Sequence, residues 1–86
     1  MISKGFKIKN PSGIHAIYAA ELCQLTQKYN SDLFIKKEKR VANCKSVISI
    51  LGLSVHEGET VTIMADGIDE KDALQGILDF LRGLAG

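Results

Sequence analysis

Proline occurs once, cysteine twice, and aromatic residues make up only 6% of the chain. One proline beside 45% apolar residues excludes a proline-rich linker and fits an ordered globule. Cys23 and Cys44 are too few for a disulfide framework and lack CxxC spacing, so both are expected to be reduced and partly buried. His, Cys, Asp and Glu form no cluster with metal-ligand spacing, and neither a metal nor another cofactor is expected. No apolar run approaches the ~18 residues that a membrane span needs. The first residues, Met1 to Lys7, have no apolar core of a secretory signal, which makes the cytoplasm the expected location, without membrane insertion. Glycine-rich phosphate loops, Ser/His/Asp or Cys/His arrangements and paired carboxylates are missing as well. At 86 residues the chain is expected to be a single domain, 1–86, too small for a deep enzyme cleft plus a cofactor domain.

What is present is unevenly distributed. Formal net charge is +1, but every cation except Lys71 and Arg82 lies at or before Lys45, and every anion except Glu21, Asp32 and Glu38 lies after it. Lys36, Lys37, Lys39 and Arg40 read as a hairpin tip solvated on its own. Without aromatic residues to stack bases there, nucleic acid is not an expected partner.

Hydrophobic periodicity gives the element order. Phe6 and Ile8 alternate with Lys7 and Lys9 as a first strand, which Asn10-Pro11-Ser12-Gly13 ends as a turn. A helix is expected just after His15, with Ala19, Leu22, Cys23 and Thr26 on its core face and Tyr29-Asn30 closing it. Leu33 and Ile35 mark a second strand, and Arg40 to Asn43 a third, paired as a hairpin. Ser46 to Leu53 is ambiguous by propensity, but Ser46 as N-cap and Gly52 near the end favour a two-turn helix. Thr60 to Ala65 forms a fourth strand after Glu57-Gly58. Ala73, Leu74, Ile77, Leu78 and Leu81 form one helical face after Asp69, the expected N-cap. The order is βαββαβα, in which one antiparallel sheet can bury one face under helices.

Two residues then stand at expected helix starts, His15 and Ser46. A helix N-terminus presents unpaired N–H groups and partial positive charge, so a phosphoryl group on either side chain is electrostatically tolerated. Imidazole suits the role because one nitrogen attacks while the other fixes the tautomer. The backbone amides of Ala16 and Ile17 would receive the anion. Blander readings stay open: His15 as an exposed loop residue, and Ser46 as a cap and nothing more. His56, in Val55-His56-Glu57-Gly58, reads as a solvent-exposed turn residue. Val47, Ile48 and Leu51 form an apolar strip, with one side of so short a helix necessarily facing outward.

Ser12-Gly13-Ile14-His15-Ala16 resembles the active-site motif of HPr, the histidine-containing phosphocarrier of the bacterial sugar phosphotransferase system. Asn43 with Lys45-Ser46 resembles that family's regulatory-serine motif. Leu53, Gly58, Gly67, Asp69-Glu70 and Ala73-Leu74 fall in register with it as well. The resemblance implies an α+β, open-faced β-sandwich with a four-stranded antiparallel sheet and three helices on one face, and a carrier rather than a turnover enzyme, in which His15 takes a phosphoryl group from phospho-enzyme I and passes it to a sugar-specific enzyme IIA. As in Gram-positive relatives, it further implies ATP-dependent phosphorylation of Ser46 by an HPr kinase/phosphorylase and binding of the seryl-phosphorylated form to a catabolite-control regulator. The expected partner surface comprises Ala20, Gln24, Lys28, Lys45, Val47, Ile48 and Leu51. Ile17-Tyr18 stands where the family has Arg-Pro, and an alkyl group supplies neither charge nor a bidentate donor. A regulatory paralogue, acting through Ser46 or a private partner with weak transfer, is the alternative.

Overall fold

The computed structural model describes residues 1–85. The elements run β1 (Ile2–Lys7), α1 (Ala16–Thr26), β2 (Asp32–Lys37), β3 (Arg40–Asn43), α2 (Val47–Gly52), β4 (Thr60–Asp66) and α3 (Glu70–Ala85). The strands form one sheet in the order β1-β4-β2-β3, every pairing antiparallel. Period-2 alternation sets its two faces. Leu33, Ile35, Ala42, Val61, Ile63 and Ala65 are all buried, and the register pairs Leu33 with Ala65, Ile35 with Ile63, and Ile35 with Ala42. They therefore share one face, and the helices cover it.

Each helix is pinned by apolar side chains: Ala19 and Leu22 from α1, Ile50 from α2, and Ala73, Ile77, Leu78 and Leu81 from α3. Full burial of one such large aliphatic side chain is worth about 1.5–3 kcal/mol, far more than the intrinsic propensity of the six-residue α2. Packing therefore resolves the ambiguity at Val47–Gly52 in favour of helix. On the opposite face of the sheet Lys36 and Asn43 are exposed, while Phe34, Thr62 and Met64 are half-buried.

Several local expectations are corrected by contacts from afar. The first helix ends at Thr26, not at Tyr29-Asn30, because the Thr26 hydroxyl donates to the carbonyls of Cys23 and Cys44 and ties the helix end to the strand side. Asp69 precedes α3, and its carbonyl accepts from Ala73 N–H. Its carboxylate, however, accepts from Asn30 N–H, Ser31 N–H and the Ser31 hydroxyl, which holds the acid below the usual carboxylate range, Ser31 contributing most. The Glu70 carboxylate reaches back to Gly67 N–H instead. The hairpin tip is not solvated on its own: Lys37 donates to the Ser54 carbonyl and pairs with Glu59, and Arg40 donates to the Gly52 carbonyl. Cys44 is fully rather than partly buried, which pushes its thiol up to about 12, while Cys23 is half-buried. The first strand begins at Ile2, earlier than its alternating stretch suggests.

Candidate functional site

The His15 site is built from the turn that precedes α1. Gly13 has φ +63, a left-handed conformation, and a Cβ there would collide with the Val55 carbonyl and the His56 backbone. Glycine is what allows this turn to lie against the 55–56 segment. The buried Asn10 side chain donates to the Gly13 carbonyl at 2.5 Å, and Ile14 N–H donates to the Val55 carbonyl at 3.1 Å. Ile14 is itself buried. With the backbone fastened on both sides of Gly13, the next residue is delivered to the start of α1.

His15 is the N-cap of that helix, with extended backbone, φ −92 and ψ −174. Its carbonyl accepts from Ala19 N–H, and its Nδ1 accepts from Ile17 N–H at 3.3 Å. The imidazole thereby does what Ser or Asn does in other caps. In the neutral ring, a nitrogen that accepts carries the lone pair, so the proton sits on Nε2. Nδ1 is therefore the ring nitrogen that carries the lone pair, and it faces the Ile17 N–H in the first turn of α1. Neither Ala16 nor Ile17 is buried, and no acidic residue lies in the first turn. The ring of Tyr18 lies against the imidazole, centroid to centroid 4.4 Å.

Large apolar side chains are exposed on both α1 and α2. Ile17 is 62% exposed on α1, and Ile48 is 85% and Leu51 38% exposed on α2, whereas Ile50 turns into the core. Val47 is half-buried, and Ala20 and Gln24 are exposed on α1. Of the two expected basic contacts, Lys28 is exposed, its ammonium 5.3 Å from the centre of the Tyr29 ring. Lys45 is not free, because its Nζ donates to the Tyr29 carbonyl at 2.7 Å. His56 is a solvent-exposed turn residue whose N–H and Nδ1 both face Glu59. The His56 N–H, more than Lys37, lowers the Glu59 carboxyl below its usual value.

Ser46 caps α2: its Oγ accepts from Ser49 N–H at 3.3 Å. Asn43 shapes the approach, its side chain accepting from Lys45 N–H and its own N–H donating to the Ser49 hydroxyl. Thr26, the last residue of α1, and Tyr29, just beyond it, bond to Cys44 and Lys45 just before this cap. His15 and Ser46 thus lie toward opposite ends of an 11-residue helix roughly 16 Å long. Among the described residues no group of His, Cys, Asp and Glu is arranged to hold a metal ion.

Residues 2–82 match the family model for the PTS HPr component phosphorylation site. The chain belongs to the HPr family. It is 30% identical to the HPr-like protein Crh of Halalkalibacterium halodurans over 82 residues, which cover 95% of this chain and 98% of that protein. Among solved structures it is similar to HPr-C-His of Thermoanaerobacter tengcongensis, with TM-score 0.94, 32% identity, and coverage of 100% of this chain and 97% of that one. Crh of Bacillus subtilis, described as a catabolite repression protein that forms a swapped dimer, aligns at TM-score 0.79 and 29% identity, covering 96% of this chain and 95% of that one. The open-faced sandwich is the fold these HPr structures share, and a phosphocarrier-type role comes with the family. No helix among the described residues is long and apolar enough to cross a membrane.

Two residues of the site escaped local sequence patterns. Asn10 is legible as a turn residue, but its grip on Gly13 is seen only once the turn closes. Tyr18 carries the helical i+3 spacing from His15, a signal that shows proximity but not ring contact.

Proposed function

We propose that the protein is a phosphoryl carrier in which His15 Nδ1 attacks the phosphorus of phospho-enzyme I. The new N–P bond forms on His15, and the bond to the donor breaks with its electron pair returning to the donor. In the second half-reaction the phosphoryl group leaves Nδ1 for enzyme IIA, and the lone pair returns to His15. The single observation that carries this reading is Nδ1 facing the Ile17 N–H in the first turn of α1, a position in which added negative charge would meet the positive helix end. The face formed by Ala20, Gln24, Ile48 and Leu51, with Lys28 at its far end, is the proposed docking surface. Transfer takes place in the cytoplasm, with neither metal nor cofactor taking part. Ser46 is the proposed regulatory site. A phosphate there adds up to about two negative charges in front of α2, altering the docking face more than the fold, and makes an HPr kinase/phosphorylase and a catabolite-control regulator the further partners.

A second reading is favoured by one observation: an exposed alkyl group, Ile17, adjoins His15. It makes the protein a regulatory paralogue that acts through Ser46, in line with the similarity to Crh. Incubation with phosphoenolpyruvate and a matching enzyme I, and in parallel with ATP and an HPr kinase/phosphorylase, separates the two. Carrier function gives an acid-labile phosphoryl adduct that His15→Ala abolishes. An acid-stable, ATP-dependent phosphate on Ser46 with no His15 adduct supports the paralogue and sinks the carrier.

A further inference from the structure

Side chains in a first helical turn point back toward the cap, which brings position 18 over His15. The two rings meet at 4.4 Å between centroids with their planes tilted by 40°, a close aromatic pair. Tyr18 is half-buried and packed against the hydrophobic core. Of the two rings, it is therefore the one fixed by the fold. The other restraint on the imidazole is the Ile17 N–H to Nδ1 bond, which is exposed and 3.3 Å long, beyond the usual range for a strong amide bond. Water competes with such a bond, and the second torsion of histidine is broad and roughly two-fold. The amide discriminates between the ring nitrogens, but it holds the ring plane only weakly.

We propose that Tyr18 is a positioning residue for His15: its ring fixes the imidazole plane so that Nδ1 stays on the Ile17 amide. This proposal rests on the carrier reading for its consequence, not for its geometry. Tyr18 does not touch the transferred group; it acts through the face of the imidazole, so the aromatic ring and not the hydroxyl is the working part. With the ring plane set before encounter, less orientational freedom is lost on reaching the transfer geometry.

The test compares Tyr18→Phe with Tyr18→Leu, which keeps an apolar group in the core contact. Nitrogen-15 NMR of the unphosphorylated protein reads the His15 tautomers and ring order, enzyme I assays read kcat and KM, and thermal melting reads the fold. Expected are a Phe variant that matches the parent, and a Leu variant with an unchanged melting midpoint, an orientationally averaged imidazole and a kcat about ten-fold lower at similar KM. A Leu variant with an ordered ring, or a Phe variant as impaired as Leu, overturns the proposal. Failure of the parent protein to accept phosphate overturns the carrier reading separately, since the NMR comparison needs no phosphoryl transfer.

Discussion

Two hydrogen-bonded side chains, Asn10 and Asp69, fasten the loops at either end of α1. Asn10 holds the turn that presents His15, and Asp69 gathers Asn30, Ser31 and the start of α3. The carboxylate of Asp69 accepts these bonds only when ionised in full, so its acidity is coupled to stability. Its folded-state pKa is lowered, chiefly by the Ser31 hydroxyl and then by the Asn30 N–H. The contribution is thus fully present above the unfolded carboxyl value near ~3.9 and is lost as pH falls through the lower folded value. Denaturant unfolding of Asp69→Asn against the parent from neutral to acid pH is expected to show a deficit at pH 7 that shrinks below about pH 4. A deficit independent of pH would contradict the assignment. Asp69 also shows where sequence reading stops. Its N-cap position follows from local pattern, whereas the destination of its carboxylate, on the far side of β2 in the chain, depends on how the sheet brings distant segments together.

At the scale of elements, α2 is the informative case. Its six residues divide between a buried anchor, Ile50, and an exposed rim, Ile48. Ile50→Ala is expected to destabilise the fold by about 2–5 kcal/mol, and Ile48→Ala to stay within about 0.5 kcal/mol while weakening docking to enzyme I. Equal losses of stability in denaturant melts would contradict the division. Just past α2, Ser54 adopts φ +53, the left-handed conformation that glycine enters freely. Ser54→Gly is therefore expected to raise stability by roughly 0.5–1 kcal/mol, read from the denaturation midpoint, and a loss would contradict the strain argument. All seven elements were legible from alternation, helical spacing and caps, because those signals are local. Lys45 was not: its position suggested a free cation, but the segment just past α1 lies close enough to engage it at the Tyr29 carbonyl.

Across the whole molecule, the fold separates the two proposed phosphate acceptors, His15 and Ser46, along α1 and leaves Ile17, Ile48 and Leu51 exposed on α1 and α2. The motif around His15 was readable from sequence because it depends on neighbours in the chain. The atom proposed to take the phosphoryl group was not, since Nδ1 is singled out by the direction of its bond to Ile17 N–H. The exposed Ile17 makes recognition of an acidic partner weaker than a guanidinium would. Ile17→Arg is expected to raise kcat/KM with enzyme I about ten-fold at low salt, with the gain fading as salt is added. An unchanged rate would show that apolar contact alone governs encounter. The central claim is tested most directly by phosphorylating nitrogen-15-labelled protein with phosphoenolpyruvate and enzyme I and reading phosphorus–nitrogen coupling at His15. Coupling to Nδ1 is the predicted result; a phosphoryl group on Nε2, or none on His15, would contradict it.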